Sequence, residues 1–131
     1  MSATTQERGW PSHYIMCHRC VFHRNTLVTF DGVEIVVGTV GNMRIDGKDN
    51  VIDKIGLNHY YETKVFRADP NDALHHDPLS GGEIYPHEGE KWRIDHHNEN
   101  CDNEANDMHE ATVARVVSDL ETGWRPESAA D

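Results

Sequence analysis

Apolar and β-branched residues gather in short runs, alternating most clearly from Tyr60 to Phe66, and recur at steps of three and four near the end of the chain. The strongest β-like stretch runs from Val33 to Phe66. It opens with the β-branched run Val33-Glu34-Ile35-Val36-Val37-Gly38-Thr39-Val40 and closes with Tyr60-Tyr61-Glu62-Thr63-Lys64-Val65-Phe66. In the second run Tyr61, Thr63 and Val65 share one face, and Glu62, Lys64 and Phe66 the other, so the first is expected to be buried and the second mixed or edge-like. Upstream, Thr26 to Phe30 reads as a short strand. Asp31-Gly32, both tolerant of positive φ, joins it to Val33 as a hairpin. Gly38 and Gly41 suggest a bulge in the second strand or its end. Shorter strands are expected at Val51-Ile52 with Ile55, at Glu83-Ile84-Tyr85 and at Lys91-Trp92-Arg93-Ile94. The Pro-, Gly- and Asp-containing stretch from Asp69 to Gly82 reads as a long loop.

From Asp102 onward the period is helical. Ala105, Met108, His109, Thr112, Val113, Val116, Val117 and Leu120 form one apolar stripe. Asp102 is the expected N-cap, acidic residues crowd the first turn where the helix dipole favours them, and Gly123 is the expected stop. Trp124 is placed to fold back on the helix end. The predicted fold class is α+β: a small, mostly antiparallel sheet of four to five strands packed against one C-terminal helix from about Asp102 to Thr122. Residues 1–131 read as a single domain with a core of about 26–122, and residues 1–9 and 125–131 are expected to be disordered.

Charge narrows the function classes. The 131 residues include 23 Asp and Glu against 12 Lys and Arg, a formal net charge of −11. So acidic a chain repels phosphate backbones, which argues against nucleic acid and leaves metal ions and basic protein surfaces as partners. Ten histidines make the charge sensitive to pH near neutrality. No apolar run reaches membrane-spanning length, and Met1 to Gln6 is polar with no signal-like segment, so a cytoplasmic location is expected. Three cysteines do not make a disulfide framework.

The sharpest local signal is Cys17-His18-Arg19-Cys20, with His13 before it and His23 after. Two thiolates two residues apart can chelate a tetrahedral zinc ion through a tight turn, but they supply half a site. The predicted set is Cys17, Cys20, His23 and Cys101, with His13, His96 and His97 as alternative donors. A structural zinc there would tie the N-terminal segment to the helix start. The competing reading is a pair of ordinary reduced cysteines. His75-His76-Asp77 and Asp95-His96-His97 look superficially like hydrolase metal motifs but lack the required helix or the larger α/β domain, so exposed loop histidines are the default. His109 lies on the apolar helix face and reads as a half-buried histidine hydrogen-bonded to the sheet, in preference to a ligand or acid–base group. His59 and Glu62 could approach a common site at the strand edge. The acidic run from Asp95 to Glu110 reads as a solvated helix start or a contact surface for a basic partner.

Taken together, the hairpin, the strand Tyr61-Glu62-Thr63-Lys64-Val65-Phe66, a polar loop and the helix pattern Glu104-Ala105-x-x-x-His109-Glu110-x-x-Val113 resemble a family of small uncharacterised actinobacteriophage proteins. In that family a strand close to Phe-Glu-Thr-Met-Val-Phe precedes a helix with an Ala-x-x-x-His step. The resemblance spans roughly residues 33–121. This chain departs from the pattern at Lys64, where methionine is usual, in its longer histidine-rich loop, and in its Cys17/Cys20 segment. The resemblance implies a phage gene product made in the host cytoplasm and brings no activity with it. The expected function is that of a small acidic accessory protein that binds another protein, of host or phage. A zinc-stabilised domain and a small metal-dependent hydrolase are the alternatives.

Overall fold

The computed structural model describes residues 2–8, 19–45, 48–55, 59–68, 78–83 and 93–126. They form an α+β fold, an antiparallel sheet covered on one face by a single C-terminal helix. The strands are β1 (Thr4–Glu7), β2 (Cys20–Phe30), β3 (Val33–Ile45), β4 (Lys48–Asp53), β5 (Tyr61–Ala68), β6 (Pro78–Glu83) and β7 (Arg93–Ile94), followed by α1 (Cys101–Glu121). The order across the sheet is β1-β2-β3-β5-β6, with β4 beside the end of β3 and β7 beside the start of β5. Every pairing is antiparallel.

The β2–β3 hairpin turns where Asp31-Gly32 predicts it. Both residues have positive φ, 52° and 79°, which matches the twist of the flanking strands, and Phe30 pairs with Val33. Both strands run longer than their apolar pattern suggests. β2 begins at Cys20, and β3 continues through Gly38 and Gly41 to Ile45. Gly41 is a close approach: a Cβ there would overlap the Tyr61 ring and lie 2.7 Å from the Tyr60 carbonyl. At Asn42, φ 56°, β3 changes neighbour. Gly41 still pairs with Tyr61 of β5, and Met43 pairs with Asp53 of β4.

β3 is buried on both faces, with Ile35, Val36, Val37 and Val40 fully inaccessible. Toward the helix, Val28, Ile35, Val37 and Val65 pack with Val113, Val116 and Leu120. Away from it, Val36 joins Leu27 and Ala68, and Val40 joins Cys20, Met43 and Ile55. β5 buries Tyr61, Thr63 and Val65, as its alternation predicts, but Glu62 and Phe66 on the opposite side are buried too. That face is therefore interior, not edge-like.

Four expectations change. Residues 1–9 are not simply frayed: Thr4–Glu7 form β1, pairing with Thr26–Thr29. Among the described residues the sheet has seven strands, more than the four to five expected: β4 and β7 fall on the short strands expected at Val51-Ile52 and Lys91–Ile94, whereas β1 and β6 carry little apolar signal. The end of the expected loop, Pro78–Glu83, is β6, with Pro78 at its first residue, where a missing N–H is tolerated. Ile84, Tyr85, Lys91 and Trp92 lie outside the described residues. The N-cap position is Asn100, which makes no side-chain capping bond, and not Asp102, whose carboxylate accepts hydrogen bonds from the sheet instead. Gly123, φ 110°, ends the helix, and Trp124 folds back against the core beneath it.

Candidate functional site

Three polar clusters lie where the helix meets the sheet or beside β5. The first centres on His109. The helical period turns it inward, and it is fully buried with a hydrogen bond at each ring nitrogen. Nε2 is 2.7 Å from Thr26 Oγ1 and Nδ1 is 2.6 Å from Thr39 Oγ1, which is in turn 2.6 Å from Thr63 Oγ1. Beyond Thr26 the chain reaches β1, where Thr26 Oγ1 donates to Glu7 Oε2 (2.6 Å). Arg24 donates to both Glu7 oxygens (2.8 and 3.3 Å), to Asn106 Oδ1 (2.8 Å) and to Glu110 Oε1.

The proton positions in this chain follow from its ends. Partial burial alone would raise the Glu7 carboxyl, but hydrogen bonds from Arg24 and Thr26 and the Arg24 charge hold it below its ordinary value. It is therefore a carboxylate, which only accepts. Thr26 spends its one hydroxyl proton on Glu7, so it accepts from His109 Nε2–H. Burial, reinforced by the Arg24 charge, lowers His109 from 6.5 to about 4. The ring is neutral near pH 7, so Nδ1 accepts from the Thr39 hydroxyl. Thr39 then accepts from Thr63. The polarity runs one way, from Thr63 through His109 to Glu7, and every ring nitrogen is satisfied. The expectation of a histidine bonded to the sheet is met, though it is wholly buried and not half-buried.

The second cluster lies at the helix start. Tyr61 donates its hydroxyl to Asp102 Oδ1 (2.5 Å), as does Asn42 Nδ2 (3.2 Å). Burial first, and then this bond to a carboxylate, raise the Tyr61 phenol. Next to it, His96 Nε2 is 3.2 Å from Glu104 Oε2, and the Cys101 thiol lies in the same group. One donor atom from each of the three falls within 4.8 Å of the others, an arrangement that could hold a metal ion. His96 and Glu104 are exposed and Cys101 is buried. The Cys101 thiol donates to the His96 carbonyl (3.4 Å) and accepts from Asn98 N–H (3.2 Å). Burial, with Glu104 and Asp102 nearby, pushes its pKa up. Hydrogen bonding to Glu104 raises His96.

Third, His59 Nε2 is 2.7 Å from Glu62 Oε1, and both residues are buried. These two residues do meet, as their spacing suggested.

The predicted zinc set is distributed differently. Cys20 packs with Val40, Met43 and Ile55, whereas Cys101 packs with Tyr61, Ile94 and Ala105. His23 Nε2 lies 2.6 Å from the Cys20 carbonyl. Among the described residues the one group of three candidate metal ligands is His96, Cys101 and Glu104. Cys17, His13, His75 and His76 lie outside the described residues. His97 is stacked on Tyr61, with ring planes 6° apart. Sequence reasoning missed Glu104 as a partner of His96 and Cys101, although the Cys-x-x-Glu spacing across the first helical turn was available as a signal. The Glu7–Arg24–Glu110 bridge had no local signature.

Compared with known proteins, the chain matches no family model, no curated protein and no solved structure. Among the described residues no helix is long and apolar enough to cross a membrane.

Proposed function

We propose that this chain is a small acidic accessory protein, of phage origin, that acts by binding a basic surface on another protein. The observation that carries this reading is the outer face of α1. Asp102, Glu104, Asp107, Glu110 and Glu121 are exposed along it, with Asp119 half-exposed. The helix has one basic residue, Arg115, paired with Asp119 (3.7 Å), and the sheet adds Arg24, which bridges Glu110. A single-sign face steers an oppositely charged partner and raises its association rate, an effect that falls with salt. The groups best suited to acid–base chemistry support a binding role over a catalytic one, since His109 and the His59–Glu62 pair are buried and engaged. The phage origin rests on the strand and helix motifs of the sequence.

The test is capture of host and phage proteins by the wild type and by Glu104→Lys/Asp107→Lys, at low and high salt. A basic protein retained by the wild type and lost from the reversed helix supports the reading. A partner retained equally by both, with no salt dependence, refutes it.

A second reading has its own observation, the His96–Cys101–Glu104 group. Thiolate, imidazole and carboxylate together suit zinc better than magnesium or calcium. Bound there, zinc would fasten the segment after β7 to the first turn of α1 and add its binding energy to folding. Elemental analysis of untagged protein, with Cys101→Ser and Cys17→Ser/Cys20→Ser in parallel, separates the two candidate sets. Zinc lost only from Cys101→Ser supports the helix-start site. Zinc lost from both variants points to the set Cys17, Cys20, His23 and Cys101, zinc lost only from the double variant to the N-terminal cysteines without Cys101, and no zinc in the wild type removes every set.

A further inference from the structure

The contacts of β1 differ in kind from those of the other long strands. We infer that β1 is a releasable strap, held on the outer edge of β2 by hydrogen bonds that converge on the Glu7 carboxylate and able to detach while the rest of the sheet stays folded. All four of its side chains are exposed, so it buries no apolar residue of its own. The preceding Ala3 is half-buried and packs against the core. β2, β3 and β5, by contrast, are joined through fully buried Val28, Ile35, Val37 and Val65.

What holds β1 is polar. Its backbone pairs with Thr26–Thr29. Glu7 collects four donors, Arg24 Nε and Nη2, Asn25 N and Thr26 Oγ1. The flanks add Ala3 N–H to Glu121 Oε2 (2.8 Å) and Arg8 Nη2 to Asn25 Oδ1 (2.5 Å). The charged or titratable groups around Glu7 are Arg24 on β2, His109 and Glu110 on α1, and Arg8 on its own segment. When β1 leaves, Arg24 keeps its Nη1 bonds to Glu110 and Asn106, and Thr26 Oγ1 still accepts from His109. The groups that lose a partner, Arg24 Nε and Nη2, the Thr26 hydroxyl hydrogen, and Asn25 N and Oδ1, lie along the edge that β1 vacates and meet water there, which is what lets the strap open separately from the core. It uncovers the edge of β2 along Thr26–Thr29, whose backbone groups can accept an added strand.

Residue-resolved hydrogen exchange on the full chain tests this. In the wild type the amides of β1 should exchange about 100-fold faster than those of β3 and β5, after correction for intrinsic rates. Glu7→Gln, which keeps the side chain's shape and removes its charge, should speed β1 exchange a further tenfold or so and leave β3 and β5 unchanged. Acidifying the wild type should move the same amides in the same direction only as pH falls below the ordinary carboxylate range, since Arg24 and Thr26 hold the Glu7 carboxyl beneath it. The inference is overturned if β1 and β3 exchange at one common rate, if Glu7→Gln leaves β1 unaltered, or if that variant opens the whole sheet together.

Discussion

Acidification should cost this protein stability through one residue, and the size of the loss can be worked from its burial. His109 is fully buried between Thr26 and Thr39, and its pKa falls from 6.5 to about 4, chiefly through burial and secondarily through the Arg24 charge, with Glu7 and Glu110 opposing in part. The folded pKa lies below the unfolded one. The stabilisation is therefore complete above about pH 6.5, is lost as pH falls toward about 4, and stays level below that. In the window between, the unfolded chain takes up a proton that the native chain refuses. A pKa drop of roughly 2.5, at about 1.4 kcal/mol for each tenfold, amounts to about 3.5 kcal/mol at full titration. That is a large fraction of the total stability of a small domain. His109→Gln offers a donor and an acceptor at similar positions but does not titrate. Urea unfolding of both chains at steps from pH 7.5 to pH 4 isolates the effect, because the other histidines titrate alike in both and cancel. The wild type's advantage should shrink by 2–3 kcal/mol, roughly, across that range. Parallel stability curves would refute the reasoning, as would a nitrogen NMR spectrum showing His109 as an imidazolium at pH 6. The same spectrum should show the proton on Nε2, since Thr26 is committed to Glu7.

Thr39→Val removes the donor to His109 Nδ1 and leaves that nitrogen buried without a partner, so a loss of about 2 kcal/mol is expected in denaturant melts. A variant as stable as the wild type would show that the nitrogen is satisfied elsewhere. Gly41→Ala drives a methyl into the Tyr61 ring and toward the Tyr60 carbonyl, and should cost about 2–3 kcal/mol, read as a lower melting temperature. An unchanged melt would mean that β3 and β5 can separate there. Tyr61→Phe deletes one bond to Asp102, which is exposed and keeps Asn42 Nδ2, so the loss should be only about 1 kcal/mol.

The elements that were legible in the sequence are those whose local chemistry agrees with their tertiary role. Asp31-Gly32 needs positive φ and has it. Tyr61, Thr63 and Val65 alternate and face inward. The stripe from Ala105 to Leu120 lies against the sheet. β1 was not legible because Thr4–Glu7 carry no apolar period: what makes them a strand is Glu7 meeting Arg24 and Thr26. Glu62 and Phe66 read as a mixed or edge-like face because alternation assumes one wet side, whereas β5 is covered on both. At the site, His109 was placed correctly against the sheet because its spacing fixes its face, but Thr39 and Thr63 as its relay partners depend on a β3–β5 register that no local pattern encodes. Cys101 was drawn toward Cys20 by residue type alone, and in the fold the two cysteines belong to separate clusters.

The helix is also the last described element in chain order, and its Val113, Val116 and Leu120 cover the Val28–Ile35–Val37–Val65 face. During synthesis the β2–β3 hairpin and then β5 emerge first, with that apolar face unprotected until the residues near Leu120 have been made. A nascent chain paused before Val113 would present a β-rich, sticky surface, so yield in the cell should respond to chaperone supply and to temperature more steeply than the stability of the finished protein does. Supplying α1 as a separate peptide to a chain lacking it would then act as a folding aid, trading a unimolecular docking step for one governed by peptide concentration.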